Sequence, residues 1–179
     1  MTHRVSWWLR LPLIVVAGGV IAATAGVRVN WTPSLPVGLY AKREAPEGAT
    51  PRRGVIVEAC LPPGAAAFAL KRGYVGPGPC PSGTMPLLKP AAAVHGDTVD
   101  IAEDGVRVNG TLVAGPGLEQ DSQGRPLPPL VPGTYAVVPG TVWILSDHDP
   151  RSFDSRYFGP VPVESVRASA RPLLTFGGG

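Results

Sequence analysis

Residues 87–110 read LLKPAAAVHGDTVDIAEDGVRVNG and decide the fold class of this chain. An apolar run leads to a His-Gly-Asp turn, and the next five residues alternate apolar and polar side chains. Glu-Asp-Gly then precedes a second alternating run that ends at Asn-Gly. Alternation with a period of two indicates β-strands, and Gly beside Asn or Asp indicates tight hairpin turns. The stretch therefore predicts a hairpin in a mainly β protein.

The flanking sequence fits the same class. Residues 52–63 (RRGVIVEACLPP) predict a strand that ends at a proline pair, and residues 134–138 and 141–145 (TYAVV and TVWIL) predict two more. Residues 65–73 (AAAFALKRG) predict a short helix that ends at glycine. The proline-rich residues 114–133 predict an exposed loop or a variable insertion. The 23 Gly and 22 Pro indicate many turns, since a hydrophobic content of 44% argues against disorder.

The N-terminus contains an uncharged apolar segment, residues 11–27 (LPLIVVAGGVIAATAGV). As a helix it spans about 26 Å, slightly less than a bilayer core of about 30 Å, and flanking Arg and Trp side chains can complete the crossing. The competing interpretation is a signal peptide cleaved near residues 23–25. In both cases residues 1–28 are the anchor or signal segment, and residues 29–179 are one exported domain.

Composition narrows the function classes. The net charge of +3 comes from 16 basic and 13 acidic residues spread along the chain, which gives no support for nucleic-acid binding. Cys60 and Cys80 suit a disulfide in an exported domain, worth roughly 3 kcal/mol in the chain-entropy description. Two free thiols are the alternative. Two cysteines without nearby histidines are too few for a zinc site, so no metal is expected.

The candidate general base is a lysine. His95 and His148 lie in turns flanked by Gly or Asp, where a solvated histidine is ordinary. Lys42 and Lys71 each precede an arginine, which favours exposure, whereas Lys89 alone has apolar neighbours on both sides. A basic lysine needs a pKa about 2–3 units below its usual value, and burial lowers that pKa. The alternative is a lysine whose stem lies on apolar surface with its ammonium in water.

Four segments resemble, in a fixed order, the motifs of one known family. Residues 34–40 (SLPVGLY) look like a nucleophile motif after a membrane segment, and residues 89–97 (KPAAAVHGD) match a lysine motif. The hairpin at residues 104–110 follows, and residues 146–156 (SDHDPRSFDSR) retain a Ser-x-Asp-Ser-Arg core. Over most of residues 28–170 the chain is similar to the type I signal peptidase family, more closely to its TraF-like branch from plasmid conjugation systems.

The resemblance implies a serine endopeptidase with a Ser–Lys dyad. Ser34 would be the nucleophile and Lys89 the general base that takes its proton, giving an acyl-enzyme. The Ser34 backbone N–H and the Thr32 hydroxyl would stabilise the oxyanion.

Supporting residues follow from the last motif. Ser152 matches a serine that hydrogen-bonds the lysine, and Asp154 and Arg156 match a structural ion pair near the site. One departure is Pro90, which stands where the family often has an arginine paired with the aspartate that corresponds to Asp147. An essential role for Asp147 is therefore not expected.

The family also implies an architecture and a role. We expect an antiparallel β-sheet body, as two sheets or a distorted barrel, on one N-terminal transmembrane helix of the bacterial inner membrane, with the catalytic domain in the periplasm. The expected substrate is an exported pilin precursor of a conjugative transfer (type IV secretion) system, with water or the pilin's own amino terminus resolving the acyl-enzyme. Alternatives are a general type I signal peptidase and a catalytically inactive periplasmic scaffold of the transfer apparatus. No cofactor is implied.

Overall fold

The computed structural model of the chain describes residues 26–46 and 48–176. The predicted transmembrane or signal segment lies almost wholly outside these residues. Within the described ranges, no helix is both long and apolar enough to cross a membrane. The first strand, β1 (Val27–Asn30), begins inside the segment assigned to the anchor, so residues 27 and 28 belong to the folded body.

The described residues form a mainly β body with two helices, α1 (Pro63–Arg72) and α2 (Ser155–Phe158). The further strands are β2 (Val37–Glu44), β3 (Ile56–Ala59), β4 (Leu87–Val94), β5 (Thr98–Ala102), β6 (Gly105–Val108), β7 (Thr111–Ala114), β8 (Gly133–Ala136), β9 (Thr141–Ile144), β10 (Val161–Pro162) and β11 (Val166–Phe176). They make a seven-stranded sheet in the order β1-β2-β11-β3-β4-β9-β10 and a four-stranded sheet in the order β7-β6-β5-β8. The named strand pairs are antiparallel, which confirms the predicted antiparallel β-sheet body.

The predicted hairpin is present between β5 and β6. Val99 pairs with Val108 and Ile101 with Val106, so the alternation buries these four side chains on one face. The next turn, between β6 and β7, uses Asn109 and Gly110 at φ values of 50° and 81°. Two successive residues with positive φ suit a tight hairpin turn, and Asn and Gly adopt that conformation most readily.

The apolar interior joins the two sheets. Side chains of β5 and β6 pack with residues of β4 and β9 from the larger sheet, and Trp143 is the largest of them. The buried residues of this apolar interior are Ala93, Val99, Ile101, Val106, Val108, Ala114, Val137, Trp143 and Leu145. A second apolar cluster, around Val57, Ile144 and Val161, packs within the seven-stranded sheet. The site residues are thus attached to a packed two-sheet body.

The segment between β3 and β4 contains the predicted helix and disulfide. Helix α1 ends at Gly73, whose φ of 73° is left-handed and whose N–H meets the last carbonyls of the helix. Cys60 and Cys80 are bonded, with their Cα atoms 5.7 Å apart, which confirms the predicted disulfide. This bond closes the loop that carries α1.

One local prediction is corrected, one is refined, and one strand was not predicted. The strand predicted over residues 52–63 is only four residues long, because residues 53 and 54 form a turn and the proline pair follows closely. Residues 114–133 are irregular and mostly exposed, as predicted, but the loop is anchored to the body, since Leu127 is buried and the Tyr157 hydroxyl accepts the Leu118 N–H at 2.9 Å. Residues 166–176, which carried no prediction, form the longest strand, β11.

Candidate active site

A cavity of about 1010 Å³ contains the predicted dyad in its wall. Ser34 and Lys89 both line it, together with Thr32 and Ser152. Asp154 is fully buried behind this wall. The fold therefore brings together, around one open space, residues that lie more than a hundred positions apart in sequence.

Ser34 lies in the turn between β1 and β2. Its residue is 5% exposed, and its Oγ is 3.2 Å from Thr32 Oγ1. The Ser34 carbonyl accepts a hydrogen bond from the Ser146 hydroxyl, and His148 Nδ1 lies 2.8 Å from the Pro33 carbonyl oxygen. Among the hydrogen bonds between described residues, none is donated by the Ser34 N–H. That N–H is thus available to an oxyanion beside Ser34 Oγ.

Lys89 is buried in the middle of the seven-stranded sheet. It pairs with Val57 across β3 and β4 and is only 4% exposed. Burial lowers the pKa of the Lys89 ammonium from 10.5 to about 8, because the charged form loses its hydration. The charge of Asp154 raises this pKa, that of Arg156 lowers it and that of Asp149 raises it, but all three effects are smaller than that of burial. A substantial neutral fraction near pH 8 suits a general base.

The dyad is not hydrogen-bonded in this structure. Between the described residues there is no hydrogen bond that joins Ser34 Oγ to the Lys89 ammonium, and none that joins Lys89 to Ser152. The Ser152 hydroxyl is buried and has no partner among the described residues, although Ser152 lines the same cavity. Catalytic hydrogen bonds commonly tighten only when substrate is bound, so this arrangement is compatible with a resting site.

Asp154 and Arg156 form a two-pronged ion pair with almost no exposure. Arg156 Nε donates to Asp154 Oδ1 at 2.9 Å and Arg156 Nη2 to Asp154 Oδ2 at 2.8 Å. Asp154 also accepts the N–H of Ser146 at 3.2 Å, and it caps the short helix α2 by accepting the Arg156 N–H. A buried pair of this kind requires partners for every remaining polar atom.

The remaining donors of Arg156 meet backbone carbonyls. Its guanidinium lies 3.3 Å from the Ser146 oxygen and 3.4 Å from the Ser152 oxygen, and it also reaches the carbonyls of Gly115 and Pro116. The pair consequently fixes both Ser146, which bonds to the nucleophile's carbonyl, and Ser152, a residue that lines the cavity. It organises the loop behind the dyad.

A second ionic cluster lines the cavity. The buried carboxylate of Glu58 accepts hydrogen bonds from Arg28 and lies 3.0 Å from the Lys42 ammonium. Lys42 is exposed, as its sequence context predicted, and its ammonium still pairs with this buried carboxylate. No group of three His, Cys, Asp or Glu side chains within residues 26–46 and 48–176 is arranged to hold a metal ion.

Two polar residues of the site were not identified from sequence. Asn30 is 5% exposed and bonds to the turn that carries Ser34, and Ser146 bonds to the Ser34 carbonyl. Ser146 lies in the last motif but had no assigned role. The position of Asn30 at the end of an apolar alternating strand, four residues before the nucleophile, is the signal that could have identified it.

Comparisons with known proteins agree with the motifs. The sequence model of the family described as signal peptidase, peptidase S26, matches residues 4–174. The plasmid transfer protein TraF of Escherichia coli is 40% identical over 92% of this chain and 89% of the relative. The conjugal transfer protein TraF of Agrobacterium tumefaciens strain 15955 is 38% identical over 98% and 99%. A crystal structure of a signal peptidase I from Enterococcus faecalis, 22% identical, covers 71% of this chain and 98% of its own, with a TM-score of 0.37.

Proposed function

The chain belongs to the signal peptidase family, peptidase S26, and on that premise we propose that it is a membrane-anchored Ser–Lys endopeptidase that processes exported pilin precursors for a conjugative transfer system. The observation that carries this proposal is the cavity that both Ser34 and Lys89 line, where the buried lysine has its pKa lowered to about 8. The relatives named for plasmid and conjugal transfer support the biological role. We also place the catalytic body in the periplasm, held by the N-terminal apolar segment to the inner membrane.

In the first step Ser34 Oγ attacks the carbonyl carbon of the scissile peptide bond. Neutral Lys89 takes the hydroxyl proton, and the Ser34 N–H stabilises the oxyanion of the tetrahedral intermediate. As the C–N bond breaks, the Lys89 ammonium returns that proton to the leaving amine. The products are an acyl-enzyme ester on Ser34, a released amine and a neutral lysine.

In the second step a nucleophile resolves the ester. Lys89 takes a proton from water or from the amino terminus of the substrate, the new bond forms at the acyl carbon, and Ser34 Oγ leaves and regains the proton from Lys89. Water yields a linear product, and the amine yields a cyclic one. Both routes use the same two side chains and no further cofactor.

The test is a cleavage assay in membranes that contain the full chain. The pilin precursor of its conjugative system is compared with an exported precursor that carries an Ala-Xaa-Ala cleavage site, and products are read by intact mass. We expect Ser34→Ala and Lys89→Ala to lose pilin cleavage by about 1000-fold or more. The matched controls Ser169→Ala, on β11, and Lys71→Ala, on α1, should cleave like the wild type.

Each outcome of this assay separates the proposed function from one of its alternatives or identifies the second nucleophile. Cleavage that persists in both dyad variants would reject the Ser–Lys assignment and favour the scaffold. Equal cleavage of both precursors would instead indicate a general signal peptidase. A pilin product lighter than the linear fragment by one water would identify the amine as the second nucleophile.

A further inference from the structure

The side chain of Asn30 is the hub of the turn that carries the nucleophile. Asn30 is the last residue of β1 and is 5% exposed. Its Nδ2 lies 2.9 Å from the carbonyl oxygen of Thr32, 3.1 Å from that of Leu35 and 3.2 Å from that of Pro36. Its Oδ1 lies 2.8 Å from Thr32 Oγ1 and 3.3 Å from Thr32 N. One carboxamide thus contacts the backbone on both sides of Ser34.

These contacts determine the orientation of the carboxamide. Carbonyl oxygens only accept hydrogen bonds, so the atom of Asn30 that faces three of them must be the nitrogen, which shares its two hydrogens among them. The other atom is then the oxygen, which only accepts. The Thr32 hydroxyl and the Thr32 N–H must therefore both donate to Asn30 Oδ1.

The orientation of the Asn30 carboxamide also determines the direction of the hydrogen bond between Thr32 and Ser34. A threonine hydroxyl has one hydrogen, and in this structure that hydrogen is directed to Asn30. In the 3.2 Å contact between Thr32 Oγ1 and Ser34 Oγ, the threonine oxygen must then accept and Ser34 must donate. The chain of donors runs from Ser34 to Thr32 to Asn30, and it fixes the position of Ser34 Oγ in the cavity wall.

We propose that Asn30 is a positioning residue for the nucleophile: its carboxamide holds the turn around Ser34 and orients the Thr32 hydroxyl, so that Ser34 Oγ is presented to the scissile carbonyl in one defined position. This inference rests on the proposed function, because it assigns Asn30 a role in acylation by Ser34. Thr32 can act as an oxyanion donor only after its hydroxyl turns away from Asn30, so the same residue controls when that donor becomes available.

Asparagine is suited to this task among side chains of its size. Aspartate has the same shape but no N–H, and its carboxylate would face three carbonyl oxygens. Serine has a single donor and is too short to span the turn from Thr32 to Pro36. Only a primary amide offers two donors and an acceptor on one rigid plane.

The test compares four variants of the full chain on the pilin precursor used above. Asn30→Asp keeps the volume and removes the donors, and Asn30→Ala removes the carboxamide. We expect kcat to fall by about 100-fold in both with KM little changed, because misplacement of a reacting atom by about 1 Å costs that much. Thr32→Val, which keeps the backbone contacts of Asn30, should also lower kcat, whereas Thr32→Ser should retain it.

The combined variant separates positioning from simple loss of stability. If Asn30 acts through Thr32, Asn30→Ala with Thr32→Val should be no slower than Asn30→Ala alone. The matched control is Asn109→Ala, which removes another structural asparagine, bonded to Thr98 N and Asp97 in the hairpin region. It should lower the melting temperature without changing kcat.

Two results would overturn the inference while Ser34→Ala still abolishes cleavage. One is wild-type kcat in Asn30→Asp, because the donors would then be irrelevant. The other is an equal kcat in Thr32→Val and Thr32→Ser, because the hydroxyl would then orient nothing. If Ser34→Ala itself cleaves the precursor, the proposed function fails instead, and the two failures are distinguishable.

Discussion

The interior between the two sheets and the site around Ser34 and Lys89 both contain buried side chains, but of opposite kinds. The interior packs apolar side chains such as Val99, Val106 and Trp143. The wall and the loop behind it bury Lys89, Asp154, Arg156, Ser34, Asn30, Ser146 and Ser152. Burial of apolar side chains in the interior favours folding, whereas burial of polar groups in the site opposes folding unless each is hydrogen-bonded. A reactive site with buried polar groups therefore requires a stable apolar scaffold.

Each region also contains one buried polar atom without a partner among the described residues. In the interior it is Trp143 Nε1, and in the wall it is Ser152 Oγ. The first lies within apolar packing, where no group is available to pair with it. The second belongs to a residue of the cavity wall, although the oxygen itself is buried, so it can gain a partner only if the wall rearranges. An unpaired polar atom therefore opposes folding in both regions, but only the one at Ser152 belongs to a residue of the proposed site.

The largest effect is expected from Arg156→Met. This change leaves the Asp154 carboxylate buried without its counter-charge, and loss of one partner of a buried ion pair costs about 3–5 kcal/mol. Since the charge of Arg156 lowers the pKa of Lys89, its removal should also move the midpoint of the pH–activity profile above about 8. Urea unfolding and pH–rate profiles measure the two effects. The double variant Asp154→Asn with Arg156→Met should be more stable than Arg156→Met alone, and a less stable double variant would contradict the assignment.

Trp143→Ala is the counterpart in the apolar interior. Truncation of a buried tryptophan costs about 3–5 kcal/mol through lost transfer energy and the cavity left behind, slightly less here because an unpaired N–H is removed as well. No ionisable group of the site is involved, so the pH midpoint of cleavage should stay near 8. A shifted midpoint would show that the two regions are not independent, and the comparison between them would fail.

Lys89→Met should stabilise the fold, although replacement of a buried residue usually destabilises it. The pKa of Lys89 is lower in the folded chain than in the unfolded chain, so the unfolded state binds more protons between pH 8 and 10.5. The cost is fully present below about pH 8 and is lost as pH rises through 10.5, and it amounts to about 3 kcal/mol. Methionine fills a similar volume without this cost. The variant should be inactive and more stable by about 3 kcal/mol at pH 7, with the gain vanishing near pH 11.

The control for this reversal is Lys71→Met on the surface of α1. That lysine is exposed, so its replacement should change the free energy of unfolding little. If Lys89→Met is less stable than the wild type at pH 7, the lysine contributes packing or ionic contacts that exceed its desolvation cost. The contrast between a stabilising interior and a costly wall would then be wrong at its central residue.

Much of the architecture could be predicted from local patterns. Strands β4 and β5 begin and end where the alternation and the turns place them, and the helix and the disulfide are also present. Strand β11 was missed because its partners lie far away in the chain: it pairs with β2 and β3, and sequence periodicity does not report such long-range pairing. Its register shift near Pro172 further weakens the pattern.

The candidate site divides in the same way. Ser34, Lys89 and Ser152 could be named because they lie in short motifs, and the fold places them around one cavity. Asn30 was not named, although its position at the end of β1 is a signal, because it belongs to none of the motifs. No role could be assigned to Ser146, because its bond to the Ser34 carbonyl spans 112 positions. Side-chain to backbone contacts across a fold leave no mark in local composition.

The smallest and sharpest test concerns Asp149, a partly exposed residue of the cavity wall. Its negative charge raises the pKa of Lys89, but this effect is smaller than those of burial, Asp154 and Arg156. Asp149→Asn keeps an oxygen for the Arg151 N–H and removes only the charge, so the activity midpoint should move below about 8 by less than Arg156→Met moves it upward.

The matched control is Asp147→Asn, the same change two residues earlier in the loop and outside this cavity, which should leave the midpoint in place. If both variants shift the midpoint equally, the pKa of Lys89 responds to the net charge of the loop. The contrast between the site and the interior would then not depend on which charges line the cavity. A shift only in Asp149→Asn would show that the charges that tune the base are those that share its cavity.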